Sequence, residues 1–149
     1  MMIKTLRNTL LLAAGALLLA ACSSRPVLEV DDSAARLEGP VVDQRWNLLL
    51  VGTNERLEFP ERPYFVIDRD GRVSGSDGCN QMSGRAQLGE NNRIAFSELA
   101  TTRRACPKGD EAQRVTGMLE SAYRYLIDHD RLVFFGPDQR VLGGWRRVD

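Results

Sequence analysis

Apolar and polar positions fall into three regimes along the chain. A basic start (Lys4, Arg7) leads into an apolar run from Leu10 to Leu19, too short to span a bilayer as a helix and built like a secretory leader. Residues Ser23 to Pro40 are mixed and polar, with Pro26, Asp31-Asp32 and a Gly39-Pro40 break, and show no sustained apolar period. From Val41 onward short alternating stretches predominate, separated by turn residues, as expected of a small antiparallel sheet or barrel. Arg45 to Val51 places Trp46, Leu48 and Leu50 on one face, and Pro63 to Asp68 is dense in aromatic and β-branched residues. Asp70-Gly71 predicts a two-residue hairpin turn into Arg72 to Ser76. The turn Gly89 to Asn92 leads into Arg93 to Ser97, and Gly136-Pro137-Asp138 joins Arg131–Phe135 to Gln139–Arg147 in a last hairpin. Gly143-Gly144 marks a bulge or tight bend in that final strand.

One stretch has a different period. Val115, Met118, Leu119, Ala122, Tyr123 and Leu126 recur at three- and four-residue steps, which predicts a helix burying one stripe against the sheet, with Asp110 as its N-cap. The expected class is therefore α+β and mainly β: a small antiparallel, partly open, barrel-like sheet packed by one main helix.

The leader ends in Leu19-Ala20-Ala21-Cys22, which resembles the lipobox of bacterial lipoproteins. That resemblance implies cleavage before Cys22, a diacylglycerol on its sulfur and an acyl group on its new amine. Residues 1–21 are then a signal peptide, residues 22–40 the lipidated cysteine and a flexible tether, and residues 41–149 the folded domain. As a random coil the tether spans about 20 to 25 Å. Several acyl chains make attachment lasting where a single chain does not. Ser23 and Ser24 after the cysteine resemble lipoproteins sent on to the outer membrane, so the expected location is the cell envelope, on the periplasmic face of that membrane.

Export changes the reading of the cysteines, because thiols outside the cytoplasm oxidise. With Cys22 lipidated, Cys79 and Cys106 remain as an even pair and are expected to form a disulfide. The competing reading, a metal or catalytic thiol, lacks support: no CxxC spacing occurs and His129 is the sole histidine. Charge adds little. Twenty basic and twenty acidic side chains balance over the whole chain, and Arg103-Arg104 and Arg146-Arg147 are too short to form the basic stripe that nucleic acid requires.

The runs Gly71-Arg-Val-Ser-Gly-Ser-Asp-Gly-Cys79-Asn80-Gln81-Met-Ser-Gly84 and Leu99-Ala-Thr-Thr-Arg103-Arg104-Ala-Cys106-Pro107 resemble the META/HslJ domain family. Its members share G-x-[VI]-x-G-x-x-G-C-N-x-x-x-G, a later T-[RK]-x-x-C and an acidic residue opening a helix, here Glu111. Trp46 and the apolar hairpin at Leu132 to Phe135 fit as well, and Arg104 departs from the usual apolar or small residue. The resemblance implies a barrel-like fold without a catalytic site, in a family linked with heat stress, drug resistance and virulence.

Candidate chemistry narrows further. The spacing of Asp68, Asp70 and Asp77 fails as a calcium loop because Arg72 stands where a ligand belongs, and Asp68 and Asp70 suit a hairpin instead. His129, in Asp128-His129-Asp130, reads as a solvated turn and not a general base. If Cys79 and Cys106 are joined, Asn80, Gln81, Arg103 and Arg104 share one surface patch, the first choice for partner contact. The expected function is a non-catalytic envelope lipoprotein: a stress-related binding or assembly/chaperone-type module, held to the membrane through Cys22, that contacts an envelope protein or apolar ligand. It needs no cofactor, metal or nucleic acid. The alternatives are an inhibitor of an envelope-attacking hydrolase or a hydrolase acting on envelope material.

Overall fold

The computed structural model describes residues 37–149; the expected signal peptide, the expected lipidation site Cys22 and most of the expected tether lie outside the described residues. In chain order the elements are β1 (Arg45–Val51), β2 (Tyr64–Ile67), β3 (Arg72–Ser76), β4 (Gln81–Gly89), β5 (Arg93–Thr101), α1 (Gly109–Glu120), β6 (Arg124–Asp128), β7 (Arg131–Phe135) and β8 (Val141–Val148). Each strand pairs antiparallel with the next, and β8 returns to pair with β1, closing the ring. The expected opening survives only as a thin seam. Between β5 and β6 one residue pair, Arg93 with Arg124, spans the join, flanked by Ile94 N–H to Tyr123 O at 3.1 Å and Tyr125 N–H to Asn92 O at 3.0 Å.

Period-two alternation fills the interior. Trp46, Phe65, Ile67, Leu132, Phe134 and Trp145 are fully buried, each from a strand whose neighbouring residues face outward. Phe65 lies edge-on to Phe96 (centroids 5.8 Å) and Trp145 (4.8 Å) and stacks on Phe134 at 5.8 Å. Burying a side chain of this kind contributes about 1.5–3 kcal/mol, so the aromatic cluster is the main force holding the ring shut. The Trp46 indole N–H also donates to Val41 O at 3.1 Å, which pins the segment before β1 over the barrel.

The helix is shorter than its periodicity predicts. Ala112, Val115, Met118 and Leu119 form its buried stripe, but Tyr123 and Leu126 belong to the chain leading into and along β6. After Ala122 the backbone bonds go to the sheet: Tyr123 N–H donates to Phe135 O at 2.9 Å, and Leu126 stands on the outer face, half exposed. Three- and four-residue spacing here coincided with strand alternation. Asp110 does not cap the helix either. Lys108 occupies the N-cap without a side-chain bond, while Asp110 and Glu111 sit in the first turn, where negative charge suits the helix dipole.

Two other expectations shift. The turn between β2 and β3 holds Arg69, Asp70 and Gly71 between Asp68 and Arg72, whose backbones bond at 2.9 Å, so it is one residue longer than predicted. The irregularity expected at Gly143-Gly144 lies beside the pair and not on it: both glycines keep their partners, and the registers shift at Leu49 of β1 and at Leu142 of β8. Gly143 itself serves close approach, since a Cβ on it would overlap the Met118 sulfur and lie 2.7 Å from Leu50 O. Glycine thus lets α1 rest on β8.

Two measurements check this packing. Gly143→Ala should lose about 1–3 kcal/mol in urea unfolding, whereas Gly117→Ala, mid-helix with open space around it, should gain about 0.5–1 kcal/mol. The Asp68 carboxyl supplies an acid-side test. Burial pushes its pKa up, but hydrogen bonds from the Arg72 backbone, the Arg72 side chain and the Asp70 backbone outweigh this and hold it below the ordinary value. A depressed native pKa gives stability that is present above the unfolded carboxylate value and lost as pH falls through the folded one. Asp68→Asn should therefore flatten the fall in melting temperature on the acid side of pH 4.

Candidate functional site

Strand direction sorts the connections between two ends of the barrel. The chain enters at one end, where Leu37 N–H donates to Arg69 O at 2.7 Å and Asp43 N–H to Ile67 O at 2.8 Å. The β2–β3 and β6–β7 turns lie at that end, and His129 with them. It is exposed in the β6–β7 turn, its Nδ1 2.6 Å from Asp128 Oδ1, with no nucleophile in contact. The opposite end carries the β1–β2 loop, the β3–β4 turn and the segment from β5 to α1.

Asp77 builds the β3–β4 turn. Nearly buried, its Oδ1 accepts the Cys79 N–H at 2.9 Å and the Asn80 N–H at 2.6 Å, while the Gly78 N–H donates to Ser76 Oγ at 3.1 Å. Gly78 has φ +97°, and a Cβ there would sit 2.5 Å from Phe59 Cδ1; only glycine allows both the turn and the ring of the β1–β2 loop against it.

The turn is then fastened to the segment after β5. Cys79 and Cys106 are disulfide-bonded, their Cα atoms 6.0 Å apart. Asn80 Oδ1 accepts the Arg104 N–H at 2.7 Å and the Thr102 hydroxyl at 3.3 Å. Thr102 Oγ1 in turn accepts the Gln81 N–H at 3.1 Å. The turn carrying Asn80 and Gln81 thus lies against the segment carrying Arg103 and Arg104. Their duties differ: Asn80 spends its side-chain oxygen on the neighbouring segment, while Gln81, Arg103 and Arg104 are exposed.

Asp77, Thr102 and Phe59 complete this end; from the sequence Asp77 is weighed only as a calcium ligand, and Thr102 and Phe59 are not singled out. Asp77 and Thr102 lie inside the two motif runs, so position could have flagged them; Phe59 sits in a loop without a pattern. Beside it lies a cleft of about 620 Å³ whose walls include Leu49, Leu57, Phe59 and Pro63, with Arg56, Arg62, Arg146 and Glu58 also lining it. A bidentate pair, Arg114 on α1 with Glu55 at 2.8 and 2.5 Å, ties the same loop to the helix. The hydrogen bond from Arg114 holds the Glu55 carboxyl below its ordinary pKa, against a smaller opposing effect of burial. Asp68 and Asp70 both pair with Arg72, away from Asp77. Among the described residues no group of three or more His, Cys, Asp or Glu side chains is placed to hold a metal.

Asn80→Ala should cost about 0.5–1.5 kcal/mol, because it removes the oxygen that accepts from the Arg104 N–H and the Thr102 hydroxyl, and should speed amide exchange at Arg104 before any other loop opens. Cys79→Ser with Cys106→Ser should cost about 2–4 kcal/mol in unfolding.

Comparison with known proteins agrees with this architecture. A crystal structure of a DUF4847 family protein from Bacteroides vulgatus superposes with TM-score 0.53 at 13% identity, covering 72% of this chain and 94% of that one. An NMR structure of a protein from Burkholderia xenovorans gives 0.58 at 19% identity, covering 72% and 83%. A further NMR structure gives 0.54 at 21%, covering 69% and 87%. At such identities the likeness is one of fold. No curated protein matches the chain. The META domain pattern matches residues 39–149, and it spans both cysteine-centred runs, the barrel and the helix: the chain belongs to the META domain family.

Proposed function

We propose that this protein is a non-catalytic envelope lipoprotein whose META domain works by binding another protein, as a stress-related assembly or chaperone-type module. The observation that carries the reading is the way one end of the barrel is fixed. A disulfide and the Asn80 hydrogen bonds hold two exposed arginines, Arg103 and Arg104, on a segment that buries little apolar surface of its own. Order without burial costs conformational entropy, and a pre-ordered polar loop lowers the entropy still to be lost when a partner docks.

The filled interior argues in the same direction. Phe65, Phe96, Phe134 and Trp145 occupy the space in which larger barrels hold a ligand, so contact falls to the outer surface. META is not a known enzyme family, and the one histidine lies in an exposed turn at the opposite end from the fastened loops. An anchor at Cys22, part of the same proposal, fits this reading. The described chain enters the barrel at Leu37, at the end away from Arg103 and Arg104.

A photo-cross-linking residue at position 103 in cells should give discrete protein adducts, and one at position 129 should not. Equal adducts from both positions, or adducts at 103 that survive Arg104→Glu at full yield, count against the loop as the contact. Separately, Cys22→Ser should abolish incorporation of labelled palmitate and release the protein from the membrane fraction.

A further inference from the structure

The thin seam between β5 and β6 sets two arginines opposite each other. Arg93 lies directly opposite Arg124, the one residue pair of that ladder, and like charges directly opposite across strands repel. Each is steadied by a contact of its own. The Arg93 guanidinium stacks 3.5 Å over the Tyr123 ring, and Arg124 Nε donates to Asn91 O at 3.2 Å. Among the described residues neither takes part in an ion pair.

A cavity of about 380 Å³ opens at this point, lined by Asn91, Arg93, Tyr123, Arg124 and Gln139, with no carboxylate in its wall. Two guanidinium forks from different strands, with two side-chain amides beside them, supply more donors than the two oxygens of a carboxylate can use. A tetrahedral oxyanion can accept from both forks at once. The space is within the range of small-molecule sites, larger than a bare ion needs.

We infer that the β5–β6 seam is a binding site for a phosphate-bearing ligand, with Arg93 and Arg124 gripping the phosphate and Asn91 and Gln139 donating at its edge. The bound anion cancels the repulsion across the seam and so tightens the weakest join of the ring. Free phosphate esters and phosphorylated lipid headgroups present the same group, and both fit the chemistry.

The test uses the full mature chain carrying Cys22→Ser, so that no acyl group contributes. Inorganic phosphate and glycerol phosphate are titrated against chloride at matched ionic strength and followed by amide resonances, and vesicles of phosphatidylglycerol are compared with phosphatidylcholine. We expect saturable shifts at Ile94, Tyr123 and Tyr125 with phosphate and not with chloride, and slower amide exchange at Ile94 and Tyr125 when it is bound. Arg93→Gln with Arg124→Gln should weaken binding by about tenfold or more, Arg85→Gln, on the exposed face of β4, should leave it unchanged, and Arg124→Lys, which keeps the charge and loses the fork, should fall between. Saturation by the soluble ligands assigns a free phosphate or ester; binding to phosphatidylglycerol vesicles alone, lost in the double variant, assigns a lipid headgroup. No response beyond chloride in any arm, or an equal response in the folded double variant and in Arg124→Lys, overturns the site.

Discussion

Closure of the sheet around Phe65 is the constraint on which the rest depends. That one ring meets Phe96, Phe134 and Trp145, side chains from β5, β7 and β8, and thereby links strands that share no hydrogen bonds with β2. Because every strand must deliver an inward residue to the same small volume, register is specified all the way round. Among the described residues the interior is occupied by these side chains, and the loops at the two ends and the outer wall are where the surface can vary.

The same closure explains why α1 lies where it does. β5 runs on past its single pair with β6, so beyond Arg93 its free edge needs cover. The helix supplies it: Val115 and Leu119 are buried, and Met118 reaches across to Gly143 on β8. The glycine at 143 and the bulges beside it follow from the same demand, for a Cβ there would hold the helix off. The seam is therefore thin by construction, with helix packing standing in for missing strand pairs.

How much of this was legible depended on side-chain size. Arg45–Val51, Arg72–Ser76 and Arg131–Phe135 were read to the residue because large apolar groups or a clear turn frame them. β4 was missed although it alternates faithfully, since its inward residues include Gly84 and Ala86, too small to signal burial. β6 was absorbed into the helix because Ala122, Tyr123 and Leu126 satisfy a helical spacing that only the long-range bonds to Asn92 and Phe135 override. At the candidate site the cysteine pair and the residues around it were legible from oxidation chemistry and motif. The Phe59 contact and the Arg93–Arg124 opposition were not, for each is made by strands or loops distant in sequence and depends on a register no local pattern encodes.

The position of the disulfide carries a further consequence. The β3–β4 turn is already well satisfied by Asp77 and Ser76, so the bond between Cys79 and Cys106 is not needed to form the turn itself. What it constrains is the segment from Thr102 to Lys108, which leaves the sheet and must reach the start of α1 with Ala105 and Pro107 exposed. Burial cannot order such a segment; a covalent link and a side-chain carbonyl can. Order in the arginine-bearing loop is thereby coupled to one cysteine pair, while the aromatic interior makes its contacts without touching it. Loss of the bond acts on the whole fold through the unfolded chain, but within the folded protein its effect falls first on the segment from Thr102 to Lys108.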